Sequence, residues 1–401
     1  MNMSFSYIVL GAGRQGIAAA YDLAKFGDAA RVTLADVDAL LARESAGKVN
    51  RLLGHKAIEA LALDVRDKEA VRKAFNGHDV ALSAVPYFFN LGLTRIAIEC
   101  GVSFCDLGGN TDIVLEQHAL HDEACRAGVR VVPDCGMGPG MGNTLAVYAM
   151  SLLDHAEHVY ICDGGLPQHP TSPWNYQLTF NIEGLTNEYY GGMTVLRGGK
   201  LRHIPCFTEL EMVEVPPLGE LECFFIAGGA STAPWTFEGK LQTYELKVLR
   251  YPGNFAQLKA FSDLGLFEIA PVEVDGAEVI PRHVFHALFE PQVQAEVIKD
   301  VCIVRARAIG TKDEAPAETT VEIIDYYDEA TGFSAMQRLT GWHFSIVAAM
   351  MARGETPVGA LPLELAVPGD AFVREARKRG LHITQSIAES AGAELVSSFA
   401  H

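Results

Sequence analysis

Apolar and polar positions alternate in regular blocks over the first 140 residues. Short apolar runs are separated by stretches with helical spacing, and each run ends in a polar or glycine-bearing loop. Six strands are predicted at residues 7–10, 31–36, 58–64, 79–86, 102–108 and 129–134. Strands that alternate with helices in this way are typical of a doubly wound parallel sheet. We therefore predict an α/β domain over residues 1–140.

The pattern changes after this domain to runs with a period of two, joined by glycine turns. Further strands are predicted at residues 159–165, 177–183, 194–202, 243–249, 301–307 and 319–324. Gly198 and Gly199 separate two short runs, which is a hairpin signal. These features predict an inserted α+β domain over residues 141–335 with a mostly antiparallel sheet.

A long apolar helix is predicted over residues 334–353, and it is too hydrophobic to lie on a surface. The simplest arrangement is that it returns the chain to the first domain. Residues 336–401 are therefore predicted to be C-terminal helices that complete the first domain.

Composition excludes several classes of protein. The chain has 401 residues and a formal net charge of −18, so it lacks the clustered Lys and Arg that nucleic-acid binding needs. The sequence has no uninterrupted run of about 18 apolar residues, so no membrane span is predicted. We expect a cytoplasmic protein. The eight cysteines form no regular framework, so they are expected to be reduced thiols. The histidine spacing offers no metal site, and none is assigned.

The most informative motif is a glycine fingerprint at the end of the first strand. Gly11, Gly13 and Gly16 follow an apolar strand and open a helix, which is the Rossmann arrangement for binding a pyrophosphate at a helix N-terminus. Asp36 ends the second strand 20 positions later, where a carboxylate binds the adenosine ribose. A carboxylate here favours NAD. Arg43 follows on the next helix and keeps NADP open as an alternative.

Ligands of an open parallel sheet bind outside the carboxyl ends of its strands. The predicted cofactor-binding residues are Gly11, Gly13, Arg14, Gln15, Gly16, Asp36, Asp64, Val65, Ala84, Val85, Pro86 and Gly138.

Several segments resemble one family, the saccharopine dehydrogenase-like oxidoreductases, and within it the lysine 6-dehydrogenase branch most of all. The resemblance covers nearly the whole chain. It is carried by residues 10–16, 33–38, 105–109, 132–141, 164–167, 250–253 and 367–370. The Gly-Pro-Gly-Met run at 138–141 and the Gly-Gly-Leu-Pro run at 164–167 are more specific than the glycine fingerprint. The resemblance implies a Rossmann domain completed by C-terminal helices, and a sheet domain that holds substrate and builds a homodimer contact.

The resemblance also implies the reaction, an NAD-dependent oxidation at a C–N bond of an amino acid or amine. In the lysine branch the terminal amine of L-lysine is deaminated by hydride transfer and imine hydrolysis. A saccharopine-type or polyamine-related oxidoreductase acting on a secondary amine is the alternative within enzymes. A non-catalytic NAD-binding sensor is the alternative outside them. The chain departs from the family pattern at Asn254, where histidine is frequent, and at Trp342, where a smaller residue is common.

Candidate catalytic residues are Asp106 and Tyr176. Asp106 ends the fifth strand, where it either accepts a proton from an amine or caps the next loop. Tyr176 either orients the substrate or packs on the sheet. The predicted substrate-binding residues are Asn90, Met141, Asn175, Arg197 and Arg250. The two arginines are candidates to hold a carboxylate through two hydrogen bonds. Asp134 is expected chiefly to fix the glycine-rich loop that follows it.

Overall fold

A computed structural model describes residues 4–389, which form two compact units. Unit 1 contains residues 4–148, Ser231–Thr236 and Gln337–Ile383. Unit 2 contains Ala149–Ala230, Phe237–Met336 and residues 384–389. The last part of the predicted C-terminal segment, residues 390–401, lies outside the described residues, as do residues 1–3.

Unit 1 is built on a seven-stranded sheet in which every neighbouring pair is parallel. Its strands are β1 (Phe5–Leu10), β2 (Ala29–Asp36), β3 (Ile58–Ala62), β4 (Val80–Ser83), β5 (Ser103–Asp106), β6 (Arg130–Val132) and β17 (Gly359–Ala360). The order across the sheet is β17-β6-β5-β4-β1-β2-β3, so the direction of winding reverses between β1 and β4. This is the switch point at which doubly wound sheets bind nucleotides.

Helices cover this sheet, which explains the unbroken apolar run in β1. Tyr7, Ile8, Val9 and Leu10 are all fully buried because both faces of a parallel sheet are covered. The helices that lie within unit 1 are α1 (Arg14–Phe26), α2 (Ala39–Leu53), α3 (Lys68–Phe75), α4 (Asn90–Cys100), α5 (Thr111–His118), α6 (His121–Ala127), α9 (Ala233–Thr236), α13 (Leu363–Ala366) and α14 (Gly369–Lys378). Residues of α7 (Met141–Ser151) and α12 (Ala335–Arg353) are shared between the two units.

The predicted return of the long apolar helix to the first sheet is present. An added Cβ at Gly341 of α12 would lie 2.7 Å from the Cβ of Ala18 in α1, so the two helices are in close contact. Beside this contact, the fully buried Arg379 donates through Nε to both carboxylate oxygens of Asp22, at 2.9 and 2.8 Å. Ser345 of α12 donates to the same carboxylate at 2.6 Å. Burial raises the pKa of Asp22, and Arg379 opposes that shift.

Unit 2 is built on a nine-stranded sheet. Its strands are β7 (His155–Pro167), β8 (Gly192–Arg197), β9 (Lys200–Pro205), β10 (Glu211–Val215), β11 (Gly219–Phe224), β12 (Thr243–Arg250), β15 (Asp300–Lys312), β16 (Ala315–Tyr326) and β18 (Ile383–Glu389). The main order is β10-β11-β12-β7-β15-β16-β18, with β8 pairing both β12 and β9. The β7–β12 pair is parallel, and β7–β15 and β15–β16 are antiparallel. The predicted mostly antiparallel sheet is confirmed.

Other elements complete unit 2. Its helices are α8 (Ile182–Glu188), α10 (Asn254–Asp263) and α11 (Pro281–Val293), and a small hairpin is formed by β13 (Val272–Val274) and β14 (Ala277–Val279). Gly198 and Gly199 form the predicted hairpin turn between β8 and β9, with φ of +58° and +70°. Both angles lie in the left-handed region that glycine adopts at low cost.

The sequence prediction differed from the structure in several places, and it missed β10, β11 and the small β13–β14 hairpin. Residues 177–183 form no strand, because Asn181 accepts a hydrogen bond from the Glu183 N–H and begins α8 instead. The two-residue strand β17 was missed since it is too short to show a period. Residues 383–389 form a strand of the second sheet, where a helix returning to the first domain was predicted.

None of the helices within residues 4–389 combines the length and the apolar character that crossing a membrane requires.

Candidate cofactor and substrate sites

The glycine fingerprint forms the turn between β1 and α1, and each glycine meets a different environment. Gly11 has φ of +100°, and an added Cβ would lie 2.7 Å from the Ala84 carbonyl oxygen. An added Cβ at Gly16 would overlap with the carbonyl oxygen of Gly11. At Gly13, by contrast, no atom lies within 4 Å of an added Cβ. The turn is therefore tightly packed on the protein side and open at Gly13, and the binding of a pyrophosphate at this opening remains a prediction.

The neighbouring fingerprint positions surround this opening. Arg14 is exposed and Gln15 half-buried at the start of α1. The end of β4 lies against the turn, since the Ala84 N–H donates to the Leu10 carbonyl at 2.7 Å. Val85 is half-buried and Pro86 is exposed. The residues predicted at the ends of β1 and β4 thus meet at the switch point of the sheet.

Asp36 lies at the end of β2 with both carboxylate oxygens directed at backbone N–H groups. Oδ2 accepts from Ala12 at 2.8 Å and Oδ1 accepts from Asp38 at 2.9 Å. Each carboxylate oxygen can accept a second hydrogen bond, so the half-buried Asp36 can still bind a ribose. Arg43 is exposed on α2.

Asp64 and Val65 follow β3. Asp64 is half-buried and accepts hydrogen bonds from the Arg66 guanidinium, the shortest at 2.6 Å, which lowers the pKa of Asp64. Val65 is half-buried. The cofactor-binding roles of these two residues remain predictions.

Asp106 is fully buried at the end of β5, and both of its oxygens have partners. The Gly108 N–H donates to Oδ1 at 2.8 Å and the Gln117 amide donates to Oδ2 at 2.7 Å. Burial raises the pKa of Asp106 to about 6. These bonds shape the loop after β5, so a role as proton acceptor would require a substrate to compete with them. The catalytic role of Asp106 remains a prediction.

Asp134 is a second buried carboxyl group of unit 1, one strand beyond Asp106. It is 3% exposed, has φ of +64° and accepts a short hydrogen bond from Ser231. Burial raises the pKa of Asp134 to about 8, with further contributions from Asp106 and Glu364. A non-glycine residue persists in the left-handed region only where its surroundings hold it there.

The glycine-rich loop after Asp134 is held by a histidine that sequence reasoning missed. His343 is fully buried in α12, and its Nδ1 lies 2.9 Å from the Cys135 carbonyl oxygen. Because that contact needs an N–H donor, Nε2 accepts from the Thr144 hydroxyl at 2.9 Å. Burial lowers the pKa of His343 to about 4, so the ring is neutral. Within this loop Gly138 is half-buried, and Met141 is fully buried at the start of α7.

Asn90, a predicted substrate residue of unit 1, is 2% exposed at the start of α4. Its side-chain oxygen accepts from Ser83 at 2.8 Å, which ties α4 to the end of β4. The substrate-binding roles of Asn90 and Met141 remain predictions, and both residues lie at the carboxyl edge of the first sheet.

In unit 2, Arg250 lies at the end of β12 and is 3% exposed. Its Nε donates to the Tyr189 hydroxyl at 2.9 Å, Nη1 donates to the Leu249 carbonyl at 3.0 Å, and Nη2 lies 3.6 Å from a Glu188 oxygen. Its guanidinium carbon is 5.7 Å from the centre of the Tyr176 ring. Two predicted residues, Arg250 and Tyr176, are therefore brought together.

The other two predicted substrate residues of unit 2 are placed elsewhere. Arg197 is bound by two carboxylates, with Nη1 donating to Glu209 at 2.7 Å and Nε forming a short bond to Glu245. A substrate carboxylate at Arg197 would have to displace them. Asn175 lies next to Tyr176 with φ of +47°, in a turn closed by its N–H to the Thr171 carbonyl at 2.9 Å. The roles of Arg197 and Asn175 remain predictions.

Sequence reasoning also missed two acids near Arg250. Asp163 lies in β7 and is 4% exposed, and burial raises its pKa to about 7. Burial raises the pKa of Glu188 to about 8. The sequence carries one signal for Asp163, an aspartate in the middle of an apolar strand, while the position of Glu188 depends on helix α8, which was not predicted.

A parallel sheet with a glycine turn at its switch point and a carboxylate after β2 is typical of a dinucleotide-binding domain of the Rossmann class. The sequence matches the family description "Saccharopine dehydrogenase NADP binding domain" over residues 7–132 and "Saccharopine dehydrogenase C-terminal domain" over residues 136–381. The chain belongs to the saccharopine dehydrogenase family. The predicted family, fold and enzyme class are confirmed.

Individual relatives are distant. The chain is 22% identical over 284 residues to carboxynorspermidine synthase of Vibrio cholerae, which covers 67% of each protein. It is 27% identical over 154 residues to the NADP-dependent, L-glutamate-forming saccharopine dehydrogenase of Schizosaccharomyces pombe, covering 36% of this chain and 33% of that protein. The chain thus spans about a third of the length of this relative.

A solved structure shares the fold. Apo saccharopine dehydrogenase (L-Glu forming) of Saccharomyces cerevisiae superposes with a TM-score of 0.76 at 19% identity, covering 96% of this chain and 100% of that chain. At this identity the likeness shows the fold alone.

Proposed function

We propose that the protein is an NAD-dependent dehydrogenase that oxidises the terminal amine of an amino acid, most like lysine 6-dehydrogenase. The observation that carries the proposal is the glycine turn, which is closed at Gly11 and Gly16 and open at Gly13, together with the Asp36 carboxylate at the end of β2. The residues present fit a nicotinamide dinucleotide, since backbone N–H groups and a helix N-terminus face the opening.

The choice of NAD rests on Asp36. A carboxylate that binds the ribose hydroxyls would repel the 2′-phosphate of NADP. The family description and the fission-yeast relative both name NADP, so the proposal makes this chain different from them in cofactor. The physical reason is electrostatic, because the exposed Arg43 would have to outweigh a nearer negative charge.

The chain's own residues would bind and orient the amino acid. When bound, the nicotinamide supplies a hydride acceptor for the carbon that bears the amine. The Arg250 guanidinium provides a buried positive charge for a carboxylate. Burial raises the pKa of Tyr176 well above its usual value, so this residue acts as a neutral hydrogen-bond donor. Loss of a hydride and a proton leaves an imine, and water then adds and releases ammonia.

The relatives favour a second candidate function. Their names describe reactions that form or cleave a secondary amine, as in saccharopine and carboxynorspermidine. An enzyme of this type would work on a secondary amine with the same hydride chemistry. The third hypothesis is a sensor that binds the cofactor without turnover. Such a protein would share the fold but would form no product.

The test is formation of NADH or NADPH at 340 nm with purified protein at alkaline pH, where the amine is neutral. Lysine, saccharopine, ornithine, diamines and polyamines are offered with each cofactor. Turnover with lysine and NAD supports the proposal, and turnover with a secondary amine alone supports the second candidate. Cofactor binding without any product would contradict both enzyme readings.

The cofactor assignment has its own test. Asp36→Ala should weaken NAD binding about 10-fold or more and reduce the preference over NADP, because two ribose hydrogen bonds to a charged group are lost. Asp38→Ala is the matched control. Asp38 accepts from the Leu40 and Leu41 N–H groups and caps α2, so its loss should lower stability by about 1 kcal/mol without changing cofactor preference. Equal preference profiles for the two variants would refute the assignment.

A further inference from the structure

Three of the buried polar atoms of unit 2 that have no hydrogen-bond partner among the described residues lie in or against strand β7 or beside Arg250. They are Oδ2 of Asp163, the phenol oxygen of Tyr176 and Oγ1 of Thr179. Asp163 is 4% exposed and Thr179 is 1% exposed. Buried polar atoms are nearly always paired, and each unpaired atom costs about 1–3 kcal/mol. Several such atoms in one place indicate that a ligand supplies the missing partners.

Strand register places these atoms close to Arg250. Asp163 of β7 is paired with Val248 of β12, so Arg250, two positions further along β12, projects from the same face of the sheet. Gly165 lies on this face of β7 too, and a Cβ added there would be 3.4 Å from Oγ1 of Thr179. The Tyr176 ring lies over the Arg250 guanidinium. Tyr176 therefore lies beside the buried Arg250, and Asp163 and Thr179 lie on the same face of the sheet.

The charges of this cluster suit a ligand that carries both signs. Arg250 is held by Tyr189 and the Leu249 carbonyl, with Glu188 beside it. A ligand whose only charged group is a carboxylate would be repelled by the nearby Asp163. A ligand whose only charged group is an ammonium would be repelled by the nearby Arg250. A zwitterion can direct its carboxylate to Arg250 and its ammonium to Asp163, so that both buried charges are paired.

We propose that Asp163 is the residue that selects the α-ammonium group of an amino-acid substrate, with Thr179 and Tyr176 completing the subsite around the carboxylate held by Arg250. This subsite rests on the proposed function. It adds to that function the end of the substrate that unit 2 binds. Diamines that lack a carboxylate and ω-amino acids that lack an α-ammonium are then poor ligands.

The experiment measures binding by titration calorimetry on the full chain saturated with NADH, so that no turnover is needed. The probes are L-lysine, L-norleucine, which has the α-amino-acid group without a terminal amine, and 6-aminohexanoate, which lacks the α-ammonium. Wild type should bind lysine and norleucine at least about 10-fold more tightly than 6-aminohexanoate, which corresponds to one charge-assisted hydrogen bond.

The variant Asp163→Asn should lose that difference. Its affinity for lysine and norleucine should fall about 10-fold or more, while its affinity for 6-aminohexanoate changes less than about 3-fold. A merely structural role of Asp163 would weaken all three ligands equally and would overturn the proposal. Asp263→Asn is the matched control, since Asp263 forms an exposed ion pair with Lys259 on α10 of the same unit.

The two proposals fail in different ways. Absence of turnover with every amine, combined with norleucine binding that depends on Asp163, would refute the proposed reaction and keep the subsite. Turnover of lysine by a wild type that binds 6-aminohexanoate as tightly as norleucine would keep the reaction and overturn the subsite. A wild type that binds none of the three probes would overturn the subsite as well.

Discussion

Alanine at Gly13 and alanine at Gly16 should have opposite consequences, although both glycines belong to the same turn. At Gly16 an added Cβ would lie 3.0 Å from the Gly11 carbonyl carbon and would overlap with its oxygen. Carbon atoms in contact are normally about 3.5–4.0 Å apart, so the backbone of the turn would have to move. At Gly13 the space for a Cβ is open.

The magnitudes follow from these distances. Overpacking of this kind destabilises a protein by about 3 kcal/mol, and the higher helix propensity of alanine in α1 offsets about 1 kcal/mol of this. Gly16→Ala should therefore destabilise unit 1 by about 2 kcal/mol. For a unit of this size, that lowers the midpoint of thermal unfolding by about 4–8 °C. Gly13→Ala should change stability by less than about 1 kcal/mol.

The loss of NADH affinity, unlike the loss of stability, is expected for Gly13→Ala. A methyl group at Gly13 occupies the space where a phosphate approaches the backbone, so it should weaken NADH binding about 10–100-fold through loss of a charge-assisted hydrogen bond. The assays are thermal unfolding without ligand and NADH fluorescence titration. Gly47→Ala in α2 is the control, because its added Cβ would meet only the end of the Arg51 side chain, at 3.3 Å.

The reasoning would be refuted by either of two results. If Gly13→Ala unfolds at a temperature as low as Gly16→Ala, the turn is not open at Gly13. If Gly13→Ala binds NADH as tightly as wild type, the pyrophosphate does not approach this part of the backbone. The control variant should retain the NADH affinity, and its unfolding midpoint should equal that of wild type or exceed it by about 2–4 °C, because alanine has the higher helix propensity.

Two further predictions concern stability. Burial lowers the pKa of His343 to about 4, so the folded protein binds fewer protons than the unfolded chain between about pH 6.5 and 4. The free energy of unfolding of wild type should therefore fall by up to about 3 kcal/mol as the pH falls through that window. His343→Gln should remove this component, which comparison of urea midpoints of both proteins at pH 7.5 and 4.5 would detect; an unchanged difference between them would contradict it. Arg379→Met should cost about 3–5 kcal/mol in urea unfolding because it leaves Asp22 buried without its partner, and Asp22→Asn in the same chain should recover part of that loss. A double variant no more stable than Arg379→Met would show that the ion pair is not the cause.

Local pattern was sufficient where a function depends on residues close together in sequence. The glycine turn, the carboxylate at Asp36 and six of the seven strands of the first sheet follow from spacing over fewer than 40 residues, whereas β17 was missed. Periodicity predicted β7, β8, β9, β12, β15 and β16 of the second sheet for the same reason, but it missed β10, β11 and β18. It also placed a strand at residues 177–183, where the apolar alternation continues into a helix capped by Asn181. A cap is a side-chain hydrogen bond, and its strength is not visible in the hydrophobic pattern.

What the sequence alone determined about this protein is its dinucleotide-binding fold with a parallel sheet, and its family, because both are recognised from short-range motifs. Tertiary structure alone decided which polar residues come together. It placed His343 on the Cys135 carbonyl, 208 positions away, and it placed Asp163 on the same sheet face as Arg250. It also brought Gly108 and Gln117 to Asp106, so that both carboxylate oxygens of Asp106 accept hydrogen bonds from the protein. Burial and strand register set the charge state and the neighbours of these groups, and both arise only when distant segments pack together.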